Sequence, residues 1–214
     1  METIFQAGQY PYMETIHLGQ HICKTKISGG FVSKLNNLID DELERKAEVD
    51  ASKSLSGKIK KEYSVAHILK QADQRQEITN IMQMAFDSYK HDMAFKWHLE
   101  FNSAWGNDQR EHEYQIVHRH SGYSSLGFST IIYLKVPDFG PEITTTAQPT
   151  NGRAVMLGNG GGQLSITYRQ IEPQVGDMYI FPYDMEHIVY PFFGDGMRRS
   201  ISANFDLIGS KEKK

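Results

Sequence analysis

The sequence predicts a mainly β protein with helices at its N-terminal end. Three observations carry that reading. Apolar residues recur at helical spacing only before about residue 95. Beyond it, short apolar stretches follow one another, divided by clusters of Gly, Pro, Asn and Asp. No helical pattern intervenes between those stretches, which points to a sandwich or barrel.

The elements follow in order. In GFVSKLNNLIDDELERK, Val32, Leu35, Leu38, Ile39 and Leu43 keep helical spacing. Lys46 to Glu62 is polar, with Ser and Gly, and reads as an exposed loop. In RQEITNIMQMAFDSYKHDM, Ile78, Ile81, Met82, Ala85, Phe86 and Tyr89 form one stripe, with Met82 and Met84 as packing residues. KWHLEFNSAW then begins to alternate. The stretches EYQIVHRH, GFSTIIYLKVP, GQLSITYRQIEP, GDMYIFPYDMEHIVYP and MRRSISANFDLI read as further short strands. Pro137 to Gly162, rich in Pro, Thr and Gly, reads as a long loop, either a plain surface insertion or a lid. KEKK is a solvated tail. The expected organisation is a single domain over 1–214. Residues 1–95 form a largely helical support region, 96–208 the β core and 209–214 a flexible tail.

A chain of 214 residues can bury a sizeable core without staples. Its 23% charged and 39% hydrophobic residues are ordinary for a soluble globular protein. A net charge of -3 does not announce nucleic-acid binding. The one cysteine, Cys23, excludes an intramolecular disulfide and fits a reducing compartment. The N-terminus lacks a basic stretch followed by an apolar one, and no apolar run reaches membrane-spanning length, so a cytoplasmic protein is expected.

Nine histidines are present. His17, His21, His67 and His91 have no partner pattern and suit surface or capping roles. His98 lies in an alternating strand and is expected to be half buried. His112, beside acidic residues, is expected to be exposed. His118 and His120 stand two apart, which on a strand means one shared face. His187 follows the Gly176-Asp177 turn, the apolar strand Met178 to Phe181 and Pro182, at the start of the next strand. Two ligands from one strand and a distant third from a later one is how a double-stranded β-helix, the jelly roll, builds a metal site. Three protein ligands on one face leave positions open for substrate and oxygen, as in the facial triad of non-haem iron. The bland alternative for each His is a satisfied structural residue.

The last strand adds to this. Alternation puts Arg198, Ser200, Ser202 and Asn204 on one face, and Ile201, Ala203 and Phe205 on the other. A polar row pointing into a β core is costly unless it binds something. A buried guanidinium calls for an anion, and a carboxylate matches its fork. Arg199 would face the other way. The alternative is an edge strand with one solvated face.

Taken together, these residues resemble the iron(II)- and 2-oxoglutarate-dependent oxygenases, over about Trp105 to Leu207. HRHSGYSSLGFSTIIYL is similar to the family's stretch from its first metal ligands into a strand ending Tyr-Leu. VGDMYIFPYDMEHIVYP is similar to its strand, turn and distal His, and GMRRSIS to its strand with Arg-x-Ser. Phage-encoded members with a His-x-His segment look most similar. The resemblance implies Fe(II) held by His118, His120 and His187. It implies 2-oxoglutarate gripped at its distal carboxylate by Arg198 and Ser200, with Tyr133 at a position that often donates its hydroxyl to the same group. It further implies dioxygen as oxidant, succinate as product, hydroxylation of a nearby C–H bond, and a lid role for Pro137 to Gly162. Trp97, Trp105 and the YSSLG stretch would line the mouth, or the two Trp are core.

The family usually carries Asp or Glu where this chain has His120. Three outcomes stay open. His120 completes a three-His site, which is the favoured reading. Or His120 stands behind the ligands while Glu113, Asp184 or Glu186 swings in. Or the site holds metal poorly and the protein is no enzyme. Two rival functions follow: a cupin-type three-His metalloenzyme without 2-oxoglutarate, and a binding or virion-associated module with a vestigial site. An inward Arg198 discriminates against the cupin.

Overall fold

The computed structural model describes residues 4–7, 10–17, 20–45, 50, 56–89, 97–142, 149–159 and 166–209. His91, the KEKK tail and parts of the stretches Lys46 to Glu62 and Pro137 to Gly162 lie outside the described residues.

Two helices appear where the apolar spacing predicts them: α1 (Gly29–Glu44) and α3 (Ala72–Tyr89), with a single turn, α2 (Ala66–Leu69), between them. Ser28 caps α1, its Oγ accepting from the Phe31 N–H at 3.1 Å and satisfying one donor that the first turn leaves open. The N-terminal end adds strands to the expected largely helical support. Three strands precede α1: β1 (Ile4–Ala7), β2 (Tyr10–His17) and β3 (His21–Lys26). They form an antiparallel meander that joins the main sheet through β3. Their apolar and polar residues do not alternate regularly, and the strand that ties them to the main sheet, β10, is distant in sequence.

The remaining strands are β4 (Glu62–Ser64), β5 (Trp97–Gln109), β6 (Gln115–His118), β7 (Gly127–Lys135), β8 (Ala154–Leu157), β9 (Tyr168–Ile171), β10 (Asp177–Pro182), β11 (Glu186–Val189) and β12 (Arg198–Gly209). They build an eight-stranded sheet, ordered β1-β2-β3-β10-β7-β12-β5-β4, and a four-stranded sheet, ordered β6-β11-β8-β9. This is the double-stranded β-helix. The strand β8 corrects the reading of Pro137 to Gly162 as loop throughout. Its four residues are too few to stand out among Pro and Gly, and pairing with β11 and β9 makes them a strand.

Two apolar layers result from alternation. On the outer face of the large sheet, Phe128, Ile132, Leu134, Met178, Ile180, Ile201, Ala203 and Phe205 pack with Leu35 and Ile39 of α1 and with Ile78, Ile81, Met82 and Phe86 of α3. Between the sheets, Ile131, Tyr133, Met156, Tyr179, Phe181 and Val189 form a second cluster. The helices therefore cover one face of the large sheet, and the other face is left to the smaller sheet and a cavity between them.

Arg199 faces the helices, as alternation requires. Its Nε and Nη2 donate to the two Asp108 carboxylate oxygens at 2.7 and 2.8 Å, and its Nη1 to Asp40 on α1 at 2.6 Å. Tyr63 donates to Asp108 at 2.9 Å. A buried guanidinium with this many charge-assisted partners clamps β12 to β5 and α1.

Candidate metal centre

His118 and His187 are direct cross-strand partners, β6 against β11. Their rings lie 4.2 Å apart between centroids. His120 lies two residues beyond the end of β6, outside any strand, with its N–H donated to the Tyr183 carbonyl at 2.9 Å. The shared-face argument from strand alternation thus applies to its neighbour but not to His120 itself, which the following loop swings into place. The three residues offer ligand atoms that all lie within 4.8 Å of one another. His187 is 1% exposed.

Each ring is oriented through Nδ1. The His118 Nδ1–H donates to the Ile116 carbonyl at 2.7 Å, and the His187 Nδ1–H to the Met185 carbonyl at 3.1 Å. A carbonyl can only accept, so both rings carry their proton on Nδ1 and a lone pair on Nε2. His120 Nδ1 meets the Asn204 Oδ1 at 3.1 Å. Trp105 stacks on the His120 ring at 5.3 Å. Hydrogen-bonding the outer nitrogen to fix tautomer and ring plane is the usual arrangement behind metal-bound imidazole. Burial holds His118 below its ordinary pKa and pushes His120 down to about 4 despite the Asn204 bond. Burial and the two neighbouring imidazoles put His187 well below the ordinary value. All three rings are therefore neutral near pH 7.

The His120 and His187 Nε2 atoms are 3.3 Å apart. The His187 Nε2 can only accept, and with the His120 proton on Nδ1 as well, two lone pairs would face each other, an arrangement that a cation relieves. Two metal–nitrogen bonds of about 2 Å meeting near a right angle would separate their nitrogens by about 3 Å. The donor set fits a divalent transition metal with imidazole preference.

Of the three alternative carboxylates, Glu186 is exposed and the other two are occupied elsewhere. Glu113 accepts from the Arg110 N–H at 2.9 Å and the Lys60 N–H at 3.3 Å, and Asp184 accepts from Gln20 at 2.9 Å. Among the described residues, no acidic side chain joins the three histidines.

The imidazoles open on a cavity of about 420 Å³, which Arg198, Ser200, Ser202, Asn204 and Tyr133 also line. Arg198 is 3% exposed. Its Nη1 donates to the Gly152 carbonyl at 2.5 Å and its Nη2 to Gln109 Oε1, while its Nε is buried without a partner. Those partners are neutral, and among the described residues none forms an ion pair with Arg198. Burial lowers its pKa, which is the cost of a cation whose counter-charge is not supplied by the fold. Tyr133 lies beside it, the guanidinium carbon 5.9 Å from the ring centre.

Trp105 lines this cavity, but Trp97 packs with the outer core, and Tyr123 of the YSSLG stretch is 94% exposed. His98 is exposed rather than half buried, and His112 is exposed as expected. A second polar row on the same wall was not read from the sequence. Ser103, Trp105, Asn107 and Gln109 of β5 face the cavity alongside the polar row of β12, in register as Asn204–Ser103, Ser202–Trp105, Ser200–Asn107 and Arg198–Gln109. A period of two in SAWGNDQ was the available signal.

Residues 103–204 match the model of the family described as "Putative 2OG-Fe(II) oxygenase". This segment belongs to the 2OG-Fe(II) oxygenase family. The oxygenase segment contains all the site residues above. No curated protein matches the chain. Among solved structures, a Pseudomonas putida prolyl-4-hydroxylase is similar at 14% identity and TM-score 0.58, over 86% of this chain and 91% of that one. HygX from Streptomyces hygroscopicus, solved with nickel and 2-oxoglutarate, is similar at 10% identity and TM-score 0.55, over 86% and 82%. The viral collagen prolyl hydroxylase of Paramecium Bursaria Chlorella virus-1, solved with 2-oxoglutarate, is similar at 13% identity and TM-score 0.55, over 86% and 95%. At these identities the likeness establishes the shared fold of the oxygenase core.

Proposed function

We propose that this oxygenase holds Fe(II) through His118, His120 and His187 and uses 2-oxoglutarate and O2 to hydroxylate a C–H bond of its substrate. One observation carries the reading: three converging imidazoles and a buried Arg198 without a counter-ion among the described residues share one cavity. The metal, when bound, would supply the redox chemistry that couples decarboxylation of 2-oxoglutarate to succinate and CO2 with insertion of one oxygen atom into the substrate.

The chain's own residues do the rest. Arg198 would take the distal carboxylate through its free Nε–H, with Ser200 and Tyr133 beside it as further hydroxyl donors. Gln109 and the Gly152 carbonyl hold the guanidinium in place. Trp105 and Phe181 flank His120 and keep water from that side of the centre. The described residues of the stretch 137–162 support the site rather than cover it, since Gly152 bonds Arg198 and Met156 pairs with His187. A phage-encoded, cytoplasmic enzyme belongs to the same proposal and rests on the His-x-His likeness. Among the described residues no helix is long and apolar enough to cross a membrane.

The test is an anaerobic titration of metal-free protein with Fe(II) and 2-oxoglutarate, following the weak visible charge-transfer band of the chelate. The band is expected in the wild type, absent in His118→Ala and weakened in Arg198→Ala. Metal uptake without a band would favour the cupin-type reading, and no metal uptake a non-catalytic module.

A further inference from the structure

The three imidazoles are not held alike. His118 and His187 each donate Nδ1–H to the backbone carbonyl two residues earlier, so their tautomers are set locally. His120 follows the strand rather than lying in it, and no backbone carbonyl takes its Nδ1. A side chain from β12 does so instead, Asn204, which is 4% exposed.

We propose that Asn204 is a positioning residue that selects the tautomer of His120 and so decides whether the third imidazole can act as a metal ligand. The inference rests on the metal centre proposed above. A carboxamide can present either end to a ring nitrogen. With its oxygen forward, it accepts from Nδ1–H, and the Nε2 lone pair points into the site. With its nitrogen forward, it donates to a bare Nδ1, and the ring proton moves to Nε2, where it blocks a metal. One neighbour chooses between these states. The Ser121 backbone carbonyl, which only accepts, lies 3.3 Å from Asn204 Nδ2 and so holds the amide nitrogen away from His120 and the oxygen toward it. The Ser129 hydroxyl on β7, opposite Asn204 in register, lies 2.5 Å from Oδ1 and donates to it, although a hydroxyl could serve either end of the amide.

The arrangement follows from what stands at position 120. A carboxylate ligand binds metal through either oxygen and needs no tautomer selection. An imidazole in its place binds only when the inner nitrogen is bare. A ligand on a loop has no strand carbonyl to enforce this, so the selection falls to the packed face of β12. The stacked Trp105 indole fixes the ring plane but cannot choose the proton.

The experiment compares full-length wild type, Asn204→Leu, Asn204→Ala and Asn204→Asp. Long-range ¹H–¹⁵N correlation of the imidazole nitrogens in metal-free protein reads the tautomer. A Co(II) titration followed by visible absorption reads affinity. His120 is expected as the Nδ1–H tautomer in the wild type and in Asn204→Asp, which keeps the acceptor. Loss of that tautomer and about 10- to 100-fold weaker Co(II) binding are expected in Asn204→Leu, or in Asn204→Ala should the Leu variant not fold. In a His120→Ala background the same change should cost nothing more. Wild-type tautomer and affinity without the amide would overturn the proposal, as would a loss that persists when His120 is absent. Failure of the wild type to take up Co(II) would sink the metal centre, while the tautomer of the metal-free protein still decides what Asn204 does.

Discussion

Arg198 is a cation placed in the core with neutral partners only and one nitrogen bonded to nothing among the described residues. Such a group gains most when an anion arrives, and removing it removes most of that gain. Truncating one partner of a buried charge pair costs about 2–5 kcal/mol. Arg198→Met should therefore raise the 2-oxoglutarate Kd of Mn(II)-loaded protein by roughly 30-fold or more at about 1.4 kcal/mol per decade. Arg198→Lys should fall between, keeping charge but losing the fork. Calorimetric titration checks both; an unchanged Kd would remove Arg198 from the cosubstrate site. Glu62 makes a separate prediction. It is 6% exposed and donor-poor, and burial pushes its pKa up to about 7, with Glu113 and Asp50 adding to the shift and the Gln115 amide opposing it. The folded state then holds a proton that the unfolded state releases near pH 4.5, so stability falls as pH rises between those values. Glu62→Gln should match wild type below pH 4.5 and exceed it by on the order of 2 kcal/mol above pH 7. Denaturant midpoints at pH 4 and pH 8 measure the difference.

The loop between β6 and β7 is the element that brings a third imidazole to the His118–His187 pair. It is pinned by Asp206 on β12, whose carboxylate accepts from the Tyr183 hydroxyl at 3.1 Å, Asn102 Nδ2 at 2.7 Å and the Tyr123 N–H at 3.3 Å. Gly122 lets the loop lie this close. A Cβ there would sit 1.9 Å from Asp206 Oδ1 and 2.8 Å from Asn102 Nδ2. Neither group can retreat without breaking the bonds that hold the loop. Gly122→Ala should cost about 1–3 kcal/mol and weaken Co(II) binding through a displaced His120, with the His118–His187 pair intact. Thermal unfolding and metal titration of one preparation read both effects, and a variant with unchanged metal affinity would show that His120 is held from elsewhere. The spacing of His118 and His120 singles out two imidazoles that do come together, but strand alternation, which suggests it, ends at His118. What brings His120 inward is the grip of Tyr183 and Asn204, more than 60 positions away.

For the molecule as a whole, the Arg199 cluster joins helix layer to β core. It buries Arg199 at 2% and Asp108 at 3% exposure behind the strand face that carries Arg198. Removing one member leaves the other as an uncompensated buried charge, at a cost of about 3–5 kcal/mol. Arg199→Met should therefore lower global stability by that amount, and Arg199→Met with Asp108→Leu should recover much of it. A double-mutant cycle in denaturant measures the coupling, and additive losses would show that the pair does not act as a unit.

The helices, most of the core strands, the inward polar row of β12 and the identity of the three histidines were legible because each depends on a period of 3.6 or 2 within a short window. The sequence by itself determined which side chains share a strand face and which face is polar. Only the tertiary structure decided that His187 stands across from His118, that β8 interrupts an apparent loop, that β1 to β3 extend the large sheet, and that an amide on β12 meets the imidazole of a loop. These are matters of register and closure between segments far apart in the chain. No local pattern encodes them, because the energy that selects them arises only when the two sheets pack and their polar groups must find partners.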